Sequence, residues 1–162
     1  MAQRELIRLY TDGACSGNPG AGGYGVVLCC GSLRKELSGG FVQTTNNRME
    51  LLAVIVGLEQ IRWEQAEVLV TSDSSYVVNA ISQGWLERWA ANDYISRTSG
   101  KKTVVKNRDL WERLRSRLKR HHVRFEWVKG HNGHPENERC DQLAVAAYKG
   151  QNLAEDIGYI NE

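Results

Sequence analysis

Four carboxylates stand where an alternating α/β chain would gather them. Asp12 follows an apolar stretch in Tyr10-Thr11-Asp12-Gly13, and Asp73 follows another in Val70-Thr71-Ser72-Asp73-Ser74. If those stretches are parallel neighbouring strands, both acids emerge at one carboxyl edge of a sheet, where open α/β sheets place their sites. Glu50 falls in the first turn of a helix that starts after Asn46-Asn47, and Asp141 falls inside the last helix. Carboxylates converging at one edge repel each other unless cations lie between them, and an all-oxygen set favours Mg²⁺ or Mn²⁺ over zinc. Each acid also has a plainer role. Asp12-Gly13 suits a turn, Asp73 a helix cap, Glu50 a capping box with Asn47, and Asp141 a solvated helix position. Singly those roles suffice; jointly they leave the convergence unexplained.

The elements that must carry these acids follow from the hydrophobic period. Glu5 to Thr11 predicts a strand, Gly13 to Gly25 a glycine-rich turn, Tyr24 to Cys30 a second strand and Leu33 to Phe41 a third, forming an antiparallel meander. The period then changes: Met49, Leu52, Ala53, Val56 and Ile61 predict a helix capped by Asn46-Asn47. Val68 to Thr71 predicts a strand, Ser74 to Ser82 a helix, Asp109 to Arg120 an amphipathic helix, Val123 to Val128 the last strand and Glu136 to Tyr148 the last long helix. Such an order suggests an α/β fold with a mixed five-stranded sheet, three antiparallel strands then two parallel, and helices on both faces. Ala90 to Asn107 reads as one long irregular region after a short helical piece at Trp85–Trp89, and the tail after Lys149 as weakly patterned.

A length of 162 residues with 41% hydrophobic content suits one domain over 1–162, with a protruding segment at about 85–107. No apolar run approaches the ~20 residues of a membrane span, and Met1 to Glu5 leads into no signal segment, so a cytoplasmic monomer is expected. Cys15, Cys29, Cys30 and Cys140 form no spaced framework, which predicts free thiols. With a net charge of only +2, any nucleic-acid surface must come from local clustering.

Thr11-Asp12-Gly13-Ala14-Cys15-Ser16-Gly17-Asn18-Pro19-Gly20 closely resembles the opening motif of the bacterial type 1 ribonucleases H (ribonuclease HI). Thr44-Thr45-Asn46-Asn47-Arg48-Met49-Glu50, Ser72-Asp73-Ser74 and Val105-Lys106-Asn107-Arg108-Asp109-Leu110-Trp111 are similar to later motifs of that family, as is the run from Trp127 to Asp141. The motifs keep the family's order and spacing over nearly the whole chain. The resemblance implies a ribonuclease H-like fold and an endoribonuclease that hydrolyses the RNA strand of RNA–DNA hybrids, leaving 5′-phosphate and 3′-hydroxyl ends. It implies that Asp12, Glu50, Asp73 and Asp141 are catalytic metal ligands for Mg²⁺, with Mn²⁺ as a substitute, two ions being held when substrate is bound. It maps His131 onto the family's mobile catalytic histidine, and the pliant setting between Gly130 and Asn132-Gly133 suits a group that moves a proton.

The same resemblance places Cys15, Asn18, Asn46 and Asn47 against the hybrid's minor groove and sugars, and Thr45 on a phosphate of the DNA strand. Trp85, Trp89 and Trp111 become candidates for the base of a protrusion that meets the DNA strand, with Lys101 and Lys102 on it, although Trp111 also lies on the apolar stripe of its helix. Helix capping by Asn46-Asn47 and packing of the tryptophans between helices are compatible alternatives. So is a solvated face for the basic run from Arg113 to Arg120. Two departures stand out: Ala90 to Ile95 is less basic than the family pattern and slightly longer, and Ser75 replaces a common glutamine.

Other functions fit less well. Gly20 to Gly25 matches G-x-G-x-x-G but leads into a strand-like run instead of a helix. His131, His134 and Cys140 lack the spacing and fourth ligand of a zinc site. A resolvase-like nuclease of the same fold and a non-catalytic hybrid-binding module remain as alternatives.

Overall fold

The computed structural model describes residues 5–98, 100–130 and 133–162. Strand β1 (Ile7–Cys15) runs antiparallel to β2 (Gly20–Cys30), which runs antiparallel to β3 (Leu33–Thr44). After helix α1 (Asn46–Glu59), strand β4 (Glu67–Ser72) lies parallel to β1 on its other side. Helices α2 (Ser75–Ser82) and α3 (Trp85–Ala91) precede a hairpin of β5 (Ile95–Thr98) and β6 (Lys101–Val104). Then come α4 (Arg108–Leu118), β7 (His122–Trp127) parallel to β4, α5 (Pro135–Lys149) and a last turn of helix, α6 (Ile157–Ile160). The main sheet has the order β3-β2-β1-β4-β7, three strands antiparallel and then two parallel, as the sequence predicts. No helix among the described residues is long and apolar enough to cross a membrane.

Two helices clamp the sheet from opposite faces. Helix α1 is apolar on nearly all sides, which fits burial all round: Met49, Leu51, Ala53, Val54 and Ile55 are fully shielded, and the helix packs on the face that carries Leu9 and Val26. Helix α5 lies on the other face, over β2. The predicted turn from Gly13 to Gly25 is therefore corrected: all but a short connection at 16–19 is strand. The glycines serve helix packing instead. A β-carbon on Gly25 would stand 2.0 Å from the carbonyl oxygen of Cys140, and one on Gly23 would stand 2.4 Å from that of Ala144. Bare backbone on β2 lets α5 settle directly onto the strand that pairs with β1.

Ala90 to Asn107 is not irregular either. The β5–β6 ribbon has no third strand, so its alternation is weak and its anchorage lies at its base. There Tyr94 is buried, the Val105 amide donates to the Tyr94 carbonyl at 2.8 Å, and the Arg108 guanidinium lies 5.3 Å from the Tyr94 ring centre. Behind it the rings of Tyr76, Trp111 and Trp89 stack in series, with centres 5.4 and 5.3 Å apart, joining α2, α4 and α3.

The tail after Lys149 is fastened to the body. Val42 donates to the Ala154 carbonyl at 2.9 Å and Ala154 donates to Gly40 at 3.0 Å. Asp156 then reaches Arg48 of α1, whose side chain is 1% exposed. Arg48 donates to both oxygens of Asp156, from Nε at 2.8 Å and Nη2 at 2.9 Å, and to both oxygens of Asp109, at 2.8 and 2.7 Å. Thr44 adds a 2.6 Å hydroxyl bond to Asp156. Removing one partner from a buried ion pair leaves charge without compensation. Asp156→Asn should therefore cost about 3 kcal/mol and lower the melting temperature by roughly 6–12 °C. Thermal unfolding followed by circular dichroism checks this, and an unchanged midpoint would contradict it.

Candidate active site

The carboxyl edge of β1 and β4 is where three acids meet. Pairing of β1 with β4 ends at Thr11 and Ser72, so Asp12 and Asp73 are the first residues beyond the shared ladder on each strand. Glu50 arrives from α1, which approaches so closely that a β-carbon on Gly13 would lie 2.5 Å from the Glu50 nitrogen. One carboxylate oxygen each from Asp12, Glu50 and Asp73 falls in a group no wider than 4.8 Å. The plainer roles of these acids do not survive. Thr45 caps α1 by accepting from the Arg48 amide at 3.3 Å, and Ser74 caps α2 by accepting from Val77 at 3.2 Å. The expected cap at Asn46-Asn47 thus shifts to Thr45, whose extended backbone suits the position.

Burial governs the electrostatics. Burial first, then the charges of Asp73 and Asp141, push the Asp12 carboxyl up to about 8, against opposing hydrogen bonds from Glu50 and the Gly13 amide. Burial also holds Glu50 well above the usual carboxylate range, helped by the charges of Asp12 and Asp73. Glu50 Oε2 is buried with no hydrogen-bond partner among the described residues. An all-oxygen cluster with an orphaned buried oxygen fits a small hard divalent cation, whose charge would offset the repulsion.

Asp141 stands on α5, half-buried and outside that tight group, yet close enough for its charge to raise Asp12. Its helix is pinned beside Asp12 by the Cys140 thiol, 3.2 Å from the Tyr10 carbonyl, and by the Asn137 amide, 3.4 Å from that of Thr11. His131, the other residue singled out by sequence, lies outside the described residues.

A polar strip adjoins the acids. Asn18 accepts from the Asn46 amide at 3.1 Å, tying the β1–β2 connection to the start of α1, where Thr45 and exposed Asn47 also stand. Cys15 is half-buried at the end of β1, and burial together with the Glu50 charge raises its thiol to about 11, so it stays neutral. Trp85 and Trp89 are half-buried on α3, with ring centres 6.4 Å apart, while Trp111 is fully buried, its indole N–H donating to the Tyr76 hydroxyl at 3.2 Å. Lys101 and Lys102 are exposed on β6.

Two cations escaped the sequence reading. Arg88 and Arg97 line a hollow of about 470 Å³ together with Trp89 and Lys102. Only the β5–β6 pairing, which sets Arg97 opposite Lys102, brings them together, and alternation in so short a ribbon gives little signal. The basic run from Arg113 to Arg120 is largely spent in ion pairs instead: Arg113 with Glu59 at 2.6 Å, Arg115 with Glu87 at 2.8 Å, and Arg120 with Glu64.

Comparison with known proteins agrees with this architecture. The RNase H family model matches residues 4–149. A "Ribonuclease H" of Desulforamulus reducens is 60% identical over 151 residues, covering 93% of this chain and 92% of that protein. Among solved structures, LC9-RNase H1, described as a type 1 RNase H with the type 2 active-site motif, superposes with a TM-score of 0.80 at 31% identity, covering 95% of this chain and 77% of that one. LC11-RNase H1, solved in complex with an RNA/DNA hybrid, gives a TM-score of 0.63 at 25% identity, covering 88% and 96%. On the extent of these matches, the chain belongs to the RNase H family.

Proposed function

We propose that the chain is an endoribonuclease that hydrolyses the RNA strand of RNA–DNA hybrids at the Asp12–Glu50–Asp73 cluster. The observation that carries this is the gathering of three carboxylate oxygens within 4.8 Å at the sheet edge, in a chain of this family. Asp12, Glu50, Asp73 and Asp141 would hold Mg²⁺ or Mn²⁺, with two ions when the hybrid is present. Cations held there would supply the charge needed to activate a water for in-line attack and to stabilise the departing oxygen, a reaction that would leave 5′-phosphate and 3′-hydroxyl ends.

The chain's own residues do the rest. The acids are fixed by β1, β4 and α1 before substrate arrives, so no reorganisation is needed at the moment of reaction. Asn18, Asn46, Asn47 and the neutral Cys15 thiol face the RNA sugars, where 2′-hydroxyls distinguish RNA from DNA. Thr45 keeps its hydroxyl proton for a phosphate of the DNA strand, since its oxygen accepts from Arg48. His131, between Gly130 and Asn132-Gly133 in the sequence, takes or delivers the proton that the carboxylates cannot. Trp85 and Trp89 support the hairpin that brings Lys101 and Lys102 to the DNA strand, and the chain works as a single domain, a cytoplasmic monomer. The relative solved with an RNA/DNA hybrid supports this choice of substrate.

A cleavage assay offering RNA–DNA hybrid, double-stranded RNA and a four-way DNA junction tests the reading. Hybrid alone should be cut, only with Mg²⁺ or Mn²⁺, and excess chelator should abolish cutting. Asp12→Asn and Asp73→Asn should each reduce kcat at least about 100-fold while the fold persists, because each removes an anionic ligand. Near-normal turnover in either variant would overturn the assignment.

The same cluster sets a pH dependence. Asp12 titrates higher in the folded chain than in the unfolded one, so the fold holds its proton more tightly. The stability this contributes is complete below the unfolded carboxyl value and is lost as pH rises through about 8. Metal-free stability should therefore fall from about pH 4 to about pH 8 and then level off. Asp12→Asn should make that slope shallower, since it removes one titrating group and one charge acting on Glu50. Urea unfolding at a series of pH values checks this, and parallel curves for the two proteins would refute it.

Charge on the hairpin should act through phosphates and carry no sequence preference. Replacing both Lys101 and Lys102 with Ala should raise KM, leave kcat nearly unchanged, and flatten log affinity against log salt by roughly 2 units of slope. Hybrid binding across a salt series decides; coincident lines would remove the hairpin from the interface.

A further inference from the structure

Trp127 ends β7 beside the candidate site with 52% of its surface exposed. A tryptophan kept for packing would be buried, as Trp111 is. The polar end of Trp127 is what the fold uses: its indole N–H donates to the backbone carbonyl of Asp73 at 3.1 Å. Asp73 needs such a hold. The β4–β7 ladder ends at the Ser72–Trp127 pair, and α2 starts only at Ser75, so Asp73 sits on a two-residue link between strand and helix. The segment after β7 closes on this link from one side. Val128 donates to the Ser72 carbonyl at 3.0 Å, and a β-carbon on Gly130 would lie 2.7 Å from Asp73 Oδ2.

We infer that Trp127 is a positioning residue for the reaction: its indole N–H, and not its ring packing, fixes the turn that presents the Asp73 carboxylate to a divalent cation. This rests on the proposal above that Asp73 is a cation ligand. A peptide rotation at Asp73 would swing the carboxylate away from Asp12 and Glu50, and the indole bond opposes that rotation by holding the carbonyl of the same residue. Groups that orient a ligand from behind commonly change metal affinity by 10-fold or more when removed.

The test uses the full chain with Trp127→Phe, which keeps an aromatic ring without the donor, and Trp127→His, which keeps a ring nitrogen at the matching distance from the backbone. Asp73→Asn serves as reference. Mn²⁺ is titrated into each free protein by calorimetry at about pH 8, where the unperturbed imidazole is neutral, and kcat and KM are measured on hybrid across Mg²⁺ concentrations. Trp127→Phe should weaken Mn²⁺ binding about 10-fold and raise the Mg²⁺ needed for half-maximal kcat by a similar factor. Its KM for hybrid and its melting temperature should stay near wild type, and Trp127→His should recover most of the loss. Wild-type Mn²⁺ affinity in Trp127→Phe, or a Trp127→His no better than Trp127→Phe, overturns the inference while Asp73→Asn still weakens binding. If Asp73→Asn itself leaves Mn²⁺ affinity unchanged, the assignment of the site falls and this inference falls with it.

Discussion

Crowding negative charge out of water is the constraint on which the rest of this molecule turns. Asp12 and Glu50 are both nearly inaccessible, and Asp73 lies within the same few ångströms. Left to relax, such groups would separate or drag water inward, because burial and like charge both oppose ionisation. The fold prevents separation by taking each acid from a different rigid element and placing it where that element cannot slide. Asp12 and Asp73 stand just past the point where two neighbouring parallel strands in the middle of the sheet stop pairing, and Glu50 lies one turn into the most deeply buried helix. Burial and like charge together favour the protonated carboxyl there, which is what the raised value of Asp12 expresses.

Helix α1 bears most of that burden, and Arg48 explains how it stays put. Two positions before Glu50, its guanidinium is clamped between Asp109 of α4 and Asp156 of the tail, so the first turn of α1 is held by charge as well as by packing. One arginine thus ties together the site helix, the helix behind it and the segment that crosses the β3 edge. Desolvating a guanidinium is tolerable only because nearly all its donors are used, two carboxylates in a forked arrangement being well suited to that.

The site was legible in the sequence to the extent that it depends on strand ends and helix starts. Asp12 and Asp73 could be placed because the apolar runs before them end abruptly, and Glu50 because a helical period begins just ahead of it. Asp141 could be assigned only through motif resemblance, since its proximity to Asp12 depends on how α5 sits on β2. The glycines of β2 misled for a physical reason: glycine signals a turn and a close approach equally, and only the helix lying above tells which. The β5–β6 hairpin was missed because a lone ribbon needs little hydrophobic alternation. The tail was missed because one buried ion pair, Asp156 with Arg48, and two backbone hydrogen bonds hold it, none of which has a period. Arg113, Arg115 and Arg120 read as positive surface until their partners Glu59, Glu87 and Glu64, remote in sequence, were seen beside them.

At Gly23 and Gly25 the contact between α5 and β2 brings bare strand backbone against the carbonyl oxygens of Ala144 and Cys140. Its spacing is therefore set by invariant peptide dimensions and is insensitive to which aliphatic residues fill the opposite face of the sheet. The aliphatic residues under α1 lie on the other face of the sheet from the helix that carries Asp141. A methyl group at Gly23 or Gly25 has no room, because it would meet those carbonyls and lift the helix. The carboxylates thus rest on two different kinds of contact: side-chain packing under α1 behind Glu50, and a strip of bare strand backbone behind Asp141 in which even one added carbon has no room.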